Sequence, residues 1–401
     1  MLIKNALVAD CDQIVYADVR ITDGKIVEIG NDLAPRDTAT QIINADGLTL
    51  LPAFIDMHCH FRDPGLEQKE TLQTGSAAAA HGGYTFVNLM ANTNPVCSTA
   101  QQAEEVQQRA KKIGICNVNQ VISLTENFDG KTLTHLEKLP SHIRVLSEDG
   151  KGVTTNDVMA KALQLAAKKD LLICSHAEDM TISKYDYRLA ENIETARNIL
   201  LAEYYGAKLH MCHVSTKESM QYVAEAKQRG AQVTCEVCPH HIWFDDETCQ
   251  YRVNPPIRQK ADVKYLIKAM LSGKVDCIAT DHAPHTDADK ANGAPGMVGL
   301  ETAFAVCYTK LCLQNNLPLT SLSRMMSRGG AKLLGLNKGK IEVGFDGDVV
   351  LVNTAKEFMV DKNSFASKSH NTPFDGEKLH GEIVLTVKNG HITYKNETYN
   401  I

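Results

Sequence analysis

The stretch Ala53-Phe54-Ile55-Asp56-Met57-His58-Cys59-His60 is an apolar run of strand length that ends in two imidazoles. Seven further apolar runs follow it: Tyr84–Met90, Val118–Leu124, Ile143–Ser147, Leu171–Ser175, Lys208–Val214, Gln232–Val237 and Asp276–Thr280. Helix-length amphipathic stretches lie between them, among them Ala100–Lys112, Thr155–Lys169, Ile193–Tyr205 and Lys217–Arg229. Eight buried strands alternating with crossover helices predict an α/β fold, a (β/α)8 TIM-like barrel over residues 52–339, rather than an open doubly wound sheet. Outside it the texture changes to short strands and turns. Asp23-Gly24 separates two alternating runs near the start, and Asn389-Gly390 does the same near the end, both hairpin signals. Neither end has enough apolar surface for a stable sheet alone. Residues 1–51 and 340–401 are therefore expected to join as one small β-sandwich domain built from both chain termini.

Composition narrows the function. The chain has 401 residues, 43% of them apolar, and 42 Lys and Arg against 48 Asp and Glu give a net charge of −6. A mildly acidic chain has no field to gather phosphates, so neither nucleic acid nor an anionic membrane is expected as a partner. The start reads straight into strand-like alternation without a signal-like apolar segment, and no run is long enough to span a bilayer. Many of the 12 cysteines sit inside apolar runs, where a free thiol behaves as a small hydrophobe. A reducing cytoplasm without disulfides is the expectation.

Catalytic groups of a barrel come from the C-terminal ends of its strands, and here the strand ends carry metal donors. The first run ends His58-Cys59-His60-Phe61-Arg62, where alternation puts the two His on one face and Cys59 on the other. The fourth ends Ser147-Glu148-Asp149-Gly150, the fifth Ser175-His176-Ala177-Glu178-Asp179, the sixth Cys212-His213 and the eighth Thr280-Asp281-His282. Imidazoles and carboxylates at one rim suit Zn²⁺ or a similar divalent ion, and they are too many for one tetrahedral site. A lone loop His is more often a surface or hydrogen-bonded residue. His81, His135, His142, His370 and His380 are read that way. His210, three residues before His213, is expected on the opposite face of its strand. Cys235-Glu236-Val237-Cys238 followed by Pro239-His240-His241 resembles a redox or zinc dithiol, but positions three apart face opposite sides and no second Cys pair stands at zinc-site spacing. Its two His are expected to pack or to support other ligands. Gly293–Gly299 reads as a loop offering backbone groups to substrate, or as an ordinary surface loop.

Taken together, these residues resemble the class I dihydroorotases of the amidohydrolase superfamily over nearly the whole chain. The resemblance rests on Asp56–Gly65, Met90-Ala91-Asn92-Thr93-Asn94-Pro95, Cys212–Ser219, Asn254-Pro255-Pro256-Ile257-Arg258 and Ala279–His285. It implies His58 and His60 on one metal, His176 and His213 on a second, Asp149 as the bridge, and Asp281 as ligand and proton carrier. It assigns substrate contacts to His60, Arg62, Asn92, Asn254, His285 and the backbone of Pro295 and Gly296. The cofactor implied is Zn²⁺, two per subunit. The partners implied are carbamoyl aspartate or dihydroorotate, a second copy of the chain in a homodimer and, in some relatives, aspartate transcarbamoylase. Two features depart from the family pattern. The segment Met180–Asn192 is compressed, and the usual Asp-Asp-Gly reads Glu148-Asp149-Gly150.

The implied activity is reversible cyclisation of N-carbamoyl-L-aspartate to (S)-dihydroorotate and water, a step of UMP biosynthesis. The residue types fit that chemistry. A cyclic amide is a poor electrophile and water a poor nucleophile at neutral pH, so a metal that acidifies water and polarises the carbonyl is needed. Arg62 suits a substrate carboxylate through paired charge-assisted bonds. One alternative is another cyclic-amide hydrolase, a dihydropyrimidinase, hydantoinase or allantoinase, whose neutral substrates give Arg62 and Asn92 no job. A second is an inactive homologue acting as a scaffold for aspartate transcarbamoylase, which has no need of ligands at five strand ends.

Overall fold

All eight apolar runs become parallel strands in the computed structural model, which describes residues 1–401. They are β1 (Phe54–Cys59), β2 (Tyr84–Leu89), β3 (Asn117–Gln120, resumed at Ile122–Ser123), β4 (Val145–Ser147), β5 (Leu172–Ser175), β6 (Lys208–Met211), β7 (Val233–Val237) and β8 (Cys277–Ile278). Consecutive strands pair in order around the ring. Closure comes at β8 and β1. Cys59 bridges His282 in parallel, and the His60 amide donates to the His282 carbonyl at 2.8 Å. Asp56 locks this seam from below, accepting from the amides of Thr280 at 3.0 Å and His58 at 3.2 Å and from the Thr280 hydroxyl.

The barrel is filled by side chains. Met57, Met90, Val121, Val145, Leu172, Cys174, Cys212, Cys277 and Ala279 form one buried cluster inside it. A much larger cluster lies between strands and outer helices. Thr99 caps the helix Ala100–Ile113 in a reciprocal box with Gln102. The helix expected from Ile193 begins at Tyr187, because the Asp186 carboxylate accepts from the Arg188 and Leu189 amides and caps the earlier start.

The chain termini build a second sheet. Its strands run, in spatial order, His391–Lys395, Lys378–Lys388, Val349–Met359, Thr49–Pro52, Leu2–Ala9, Ile14–Thr22 and Lys25–Gly30, with Ile42–Asn44 beside Leu2–Ala9. Asp23 and Gly24 turn the first hairpin with φ of 50° and 73°, and Asn389 and Gly390 turn the last with 51° and 77°. Those values need two left-handed residues, which is what Asp-Gly and Asn-Gly supply. A separate core, from Ile3 to Leu50 and from Ile341 to Val387, backs this sheet. All twelve cysteines are free, ten of them buried. No helix is long and apolar enough to cross a membrane.

Candidate metal centre and substrate cavity

The strand ends converge on the carboxylate of Asp149. Its Oδ1 lies 3.1 Å from His58 Nε2, 3.4 Å from His176 Nδ1 and 3.7 Å from His213 Nε2, while Oδ2 lies 3.5 Å from His60 Nε2. Asp281 Oδ1 approaches the same two β1 imidazoles, 3.1 Å from His60 Nε2 and 3.5 Å from His58 Nε2. Two donor groups result, sharing Asp149: His58 and His60 on one side, His176 and His213 on the other. The backbone bends to present them. His213 and Asp281 adopt φ of 34° and 48° just beyond their strands, and Arg62 adopts 59°. Non-glycine residues in this region are strained, and such strain clusters at functional sites.

The outer nitrogens of these imidazoles show which atoms are free to ligate. His58 Nδ1 donates to Glu236 at 2.8 Å, His60 Nδ1 to the Asn92 side-chain oxygen at 2.8 Å, and His176 Nε2 to Glu178 at 2.9 Å. Each bond turns the ring's other nitrogen toward the Asp149 carboxylate, where His176 Nδ1 also lies 2.8 Å from His213 Nε2. This is how metal-ligating histidines are held, the second nitrogen donating to a carboxylate or carbonyl-type oxygen. His58 Nε2 and Asp149 Oδ1 are moreover buried with no hydrogen-bond partner. An orphaned imidazole facing an orphaned carboxylate in a nearly dry site fits divalent cations well.

Electrostatics in the metal-free protein point the same way. Burial pushes the Asp149 carboxyl up, but the imidazoles of His58, His176 and His213 around it outweigh burial and hold the group well below the carboxylate range. Asp281 is likewise raised by burial and lowered further by His58 and His60. Burial works against the charged form of His176, yet Asp149 and Glu178 raise it to about 10. Glu178 and Glu236 are each lifted by burial and brought down to about 2 by their imidazole partners. Both remain anions, as supports of ligands should be.

Above the donors lies a cavity of about 210 Å³ lined by His60, Arg62, Asn92, Asp149, Gly150, His176, His213, Asn254, Asp281, Ala283, His285, Pro295 and Gly296. Every sequence-predicted site residue is in that lining except His58, which sits beneath it, fully buried. His60 has both nitrogens engaged, Nδ1 with Asn92 and Nε2 with Asp281. Asn254 donates to Glu178 at 2.8 Å. Gly296, at φ 127°, packs against Ala283 so closely that a Cβ would stand 2.8 Å from the alanine's own. Its amide donates to Arg252 O at 3.1 Å, and its carbonyl accepts from Lys290 at 2.9 Å and Asn371 at 3.1 Å.

The cavity has a cationic end. Arg62 Nη2 lies 3.3 Å from His285 Nε2, and Lys69 Nζ lies 3.4 Å from His285 Nδ1. Burial, then Arg62 and Lys69, lower His285 to about 3, so it stays neutral beside two cations. Lys69 carries no motif and was invisible in the sequence. Glu236 and Glu178 were visible but unassigned, the first inside a distracting Cys-x-x-Cys. His210 corrects a parity argument. It points inward, not away, with Nε2 3.0 Å from Glu236, because the strand ends at Met211 and the count to His213 fails. Glu148 turns from the Asp149-centred donors to accept from the Thr125 amide at 2.8 Å. Lys151 is exposed, with its ammonium 5.8 Å from the centre of the Phe128 ring.

Known proteins carry the same architecture. The family model described as the amidohydrolase family matches residues 49–393. L-Hydantoinase (dihydropyrimidinase) from Arthrobacter aurescens superposes with a TM-score of 0.89 at 25% identity, covering 98% of this chain and 96% of that one. Dihydropyrimidinase from Brevibacillus agri gives 0.87 at 25%, covering 99% and 95%. In sequence, a dihydroorotase of Bacillus subtilis is 39% identical over 421 positions, 98% of each chain, an alignment longer than this chain and so carrying gaps in it. A dihydroorotase of Clostridium botulinum is 48% identical over 397 residues, 98% of this chain and 99% of that protein. Since the hydantoinases share the fold at about half that identity, the chain belongs to the amidohydrolase family and, within it, to the dihydroorotases.

Proposed function

We propose that this chain interconverts N-carbamoyl-L-aspartate and (S)-dihydroorotate, with two Zn²⁺ held by His58, His60, His176, His213 and Asp281 and bridged by Asp149. The observation that carries the reading is the pairing, in one cavity, of the Asp149-centred donors with the cationic Arg62 and its neighbour His285. A ring with a carboxylate substituent uses both halves, whereas hydantoin or dihydrouracil leaves the cationic half unmatched. The dihydroorotase relatives support the same choice. The twelve free cysteines support a reducing compartment such as the cytoplasm.

When bound, the zinc ions supply an acidified water and polarise the carbonyl under attack. The protein's own groups do the rest. Arg62 fixes the substrate carboxylate through a planar, permanently charged fork, and neutral His285 can add a hydrogen bond without repelling Arg62. Asn254, held by Glu178, lines the same cavity and would border the ring. Asp281 is an anion at the mouth of the donor cluster, able to take the proton of the attacking water and deliver it to the ring nitrogen as the amide opens. In closure it removes the carbamoyl nitrogen's proton and returns it to the departing oxygen. The test is turnover in both directions by protein stripped with chelator and reloaded with Zn²⁺. Activity that is absent after stripping and restored by zinc is expected. Inactivity of the reloaded protein in both directions would overturn the proposal.

A further inference from the structure

Beyond β7 the chain passes through Cys238 into the short helix Pro239–Trp243. The Cys235 sulfur lies 3.8 Å from the Lys274 carbonyl. Cys238 instead meets the two histidines that follow it. One ligand atom from each of Cys238, His240 and His241 lies within 4.8 Å of the other two, and all three residues are buried. The two rings sit with centroids 4.2 Å apart.

Three of their four ring nitrogens have no partner: both of His240, which is 1% exposed, and Nδ1 of His241. Buried native imidazoles nearly always find a partner, so three orphaned nitrogens beside a thiol need a reason. The fourth nitrogen supplies one. His241 Nε2 donates to the Pro255 carbonyl at 3.0 Å, which fixes the tautomer and leaves the Nδ1 lone pair free. That is the posture seen in the catalytic donors, repeated at a second place.

We propose that Cys238, His240 and His241 form a third metal site, distinct from the Asp149-centred pair, that takes Zn²⁺ through one thiolate and two imidazoles. One sulfur and two ring nitrogens are a borderline-soft set of the kind zinc selects. Ligands around tetrahedral zinc stand roughly 3.3–3.6 Å apart, so shifts of about 1 Å close the site. The Cys238 thiol gives up its proton to solvent as the Zn–S bond forms. The ion would pin the helix after β7 and, through His241, the Asn254–Pro256 segment that borders the substrate cavity.

The experiment is cobalt substitution of the whole protein, which reads ligation and not turnover and so stands apart from the dihydroorotase reading. The catalytic donors are imidazoles and carboxylates, so a thiolate-to-cobalt charge-transfer band in the near ultraviolet reports a cysteine ligand. The wild type should show that band and a third equivalent of metal. Cys238→Ser should lose the band and one equivalent together. Cys212→Ser, which removes the thiol next to His58 and Glu236, should keep the band. A wild-type protein with no thiolate band would overturn the proposal even if the variants fail to fold. So would a band that survives Cys238→Ser.

Discussion

Replacing Glu236 by Gln removes one negative charge from a position where both carboxylate oxygens are in use. Oε1 lies 2.8 Å from His58 Nδ1 and accepts the His213 amide at 3.2 Å, while Oε2 lies 3.0 Å from His210 Nε2. The residue is fully buried. Glutamine keeps the shape. Its oxygen can still accept from His58, and its amide can face His210, whose Nδ1 then donates to the Thr234 hydroxyl 2.8 Å away. What is lost is charge assistance, about 1–1.5 kcal/mol for one hydrogen bond, or roughly tenfold. Supports of metal-bound imidazoles are worth about 10–100-fold in metal affinity. Glu236→Gln should therefore weaken zinc binding by about 10–100-fold, with turnover largely restored when zinc is saturating. Competition against a chelator of known affinity, followed by assay across a zinc series, measures both. Unchanged zinc affinity, or lost activity that no concentration of zinc restores, would refute the positioning role.

Other residues give equally direct tests. Arg62→Met should lower kcat/KM for dihydroorotate by the equivalent of about 2–5 kcal/mol while metal content stays normal, and an unchanged kcat/KM would remove the carboxylate clamp. Asp281→Asn keeps an oxygen at the cluster but cannot take a proton, so turnover should fall by about 10²–10⁴-fold, and wild-type rates in both directions would place the base elsewhere. The proposed Asp149 bridge needs no group derived from CO₂, so stripped protein should regain activity with Zn²⁺ in CO₂-depleted buffer; dependence on bicarbonate would contradict the bridge. Glu148 is raised to about 7, chiefly by burial, so the folded state favours its neutral form. Its stabilising contribution is full below about pH 4.5 and is lost as pH rises through 7. Glu148→Gln, which mimics the neutral acid, should gain stability relative to the wild type between pH 5 and 8, by at most about 3 kcal/mol, and a pH-independent difference in Tm would show otherwise.

The sequence announces the candidate metal donors because they follow directly on apolar strands, where local pattern and site coincide. His58 and His60, Asp149, His176, His213 and Asp281 all stand at or just beyond a strand's last residues. The supports are harder to read because their partners are distant in the chain. Glu236 reaches His58 across 178 residues, and Asp56 reaches Thr280 across 224. Such pairings exist only once β7 and β8 close against β1. Alternation is dependable only within a strand, and it fails at His210 because the chain leaves extended geometry before His213, whose φ is 34°. The grouping of Cys238 with His240 and His241 is missed for a related reason. A strand-based count looks to Cys235, whereas the turn into a helix at Pro239 folds the next residues back on Cys238. Lys69 lies on a loop without periodicity and comes to His285 across 216 residues.

The most direct measurement is a comparison of initial rates for zinc-loaded protein on dihydroorotate, carbamoyl aspartate, dihydrouracil and hydantoin under one set of conditions. The cavity joins the Asp149-centred donors to the cation Arg62, so the two carboxylate-bearing substrates should turn over and the two neutral rings should react slower by about two orders of magnitude or more, the scale of one lost buried charge-assisted contact. Turnover of dihydrouracil or hydantoin at rates equal to or above that of dihydroorotate would contradict it.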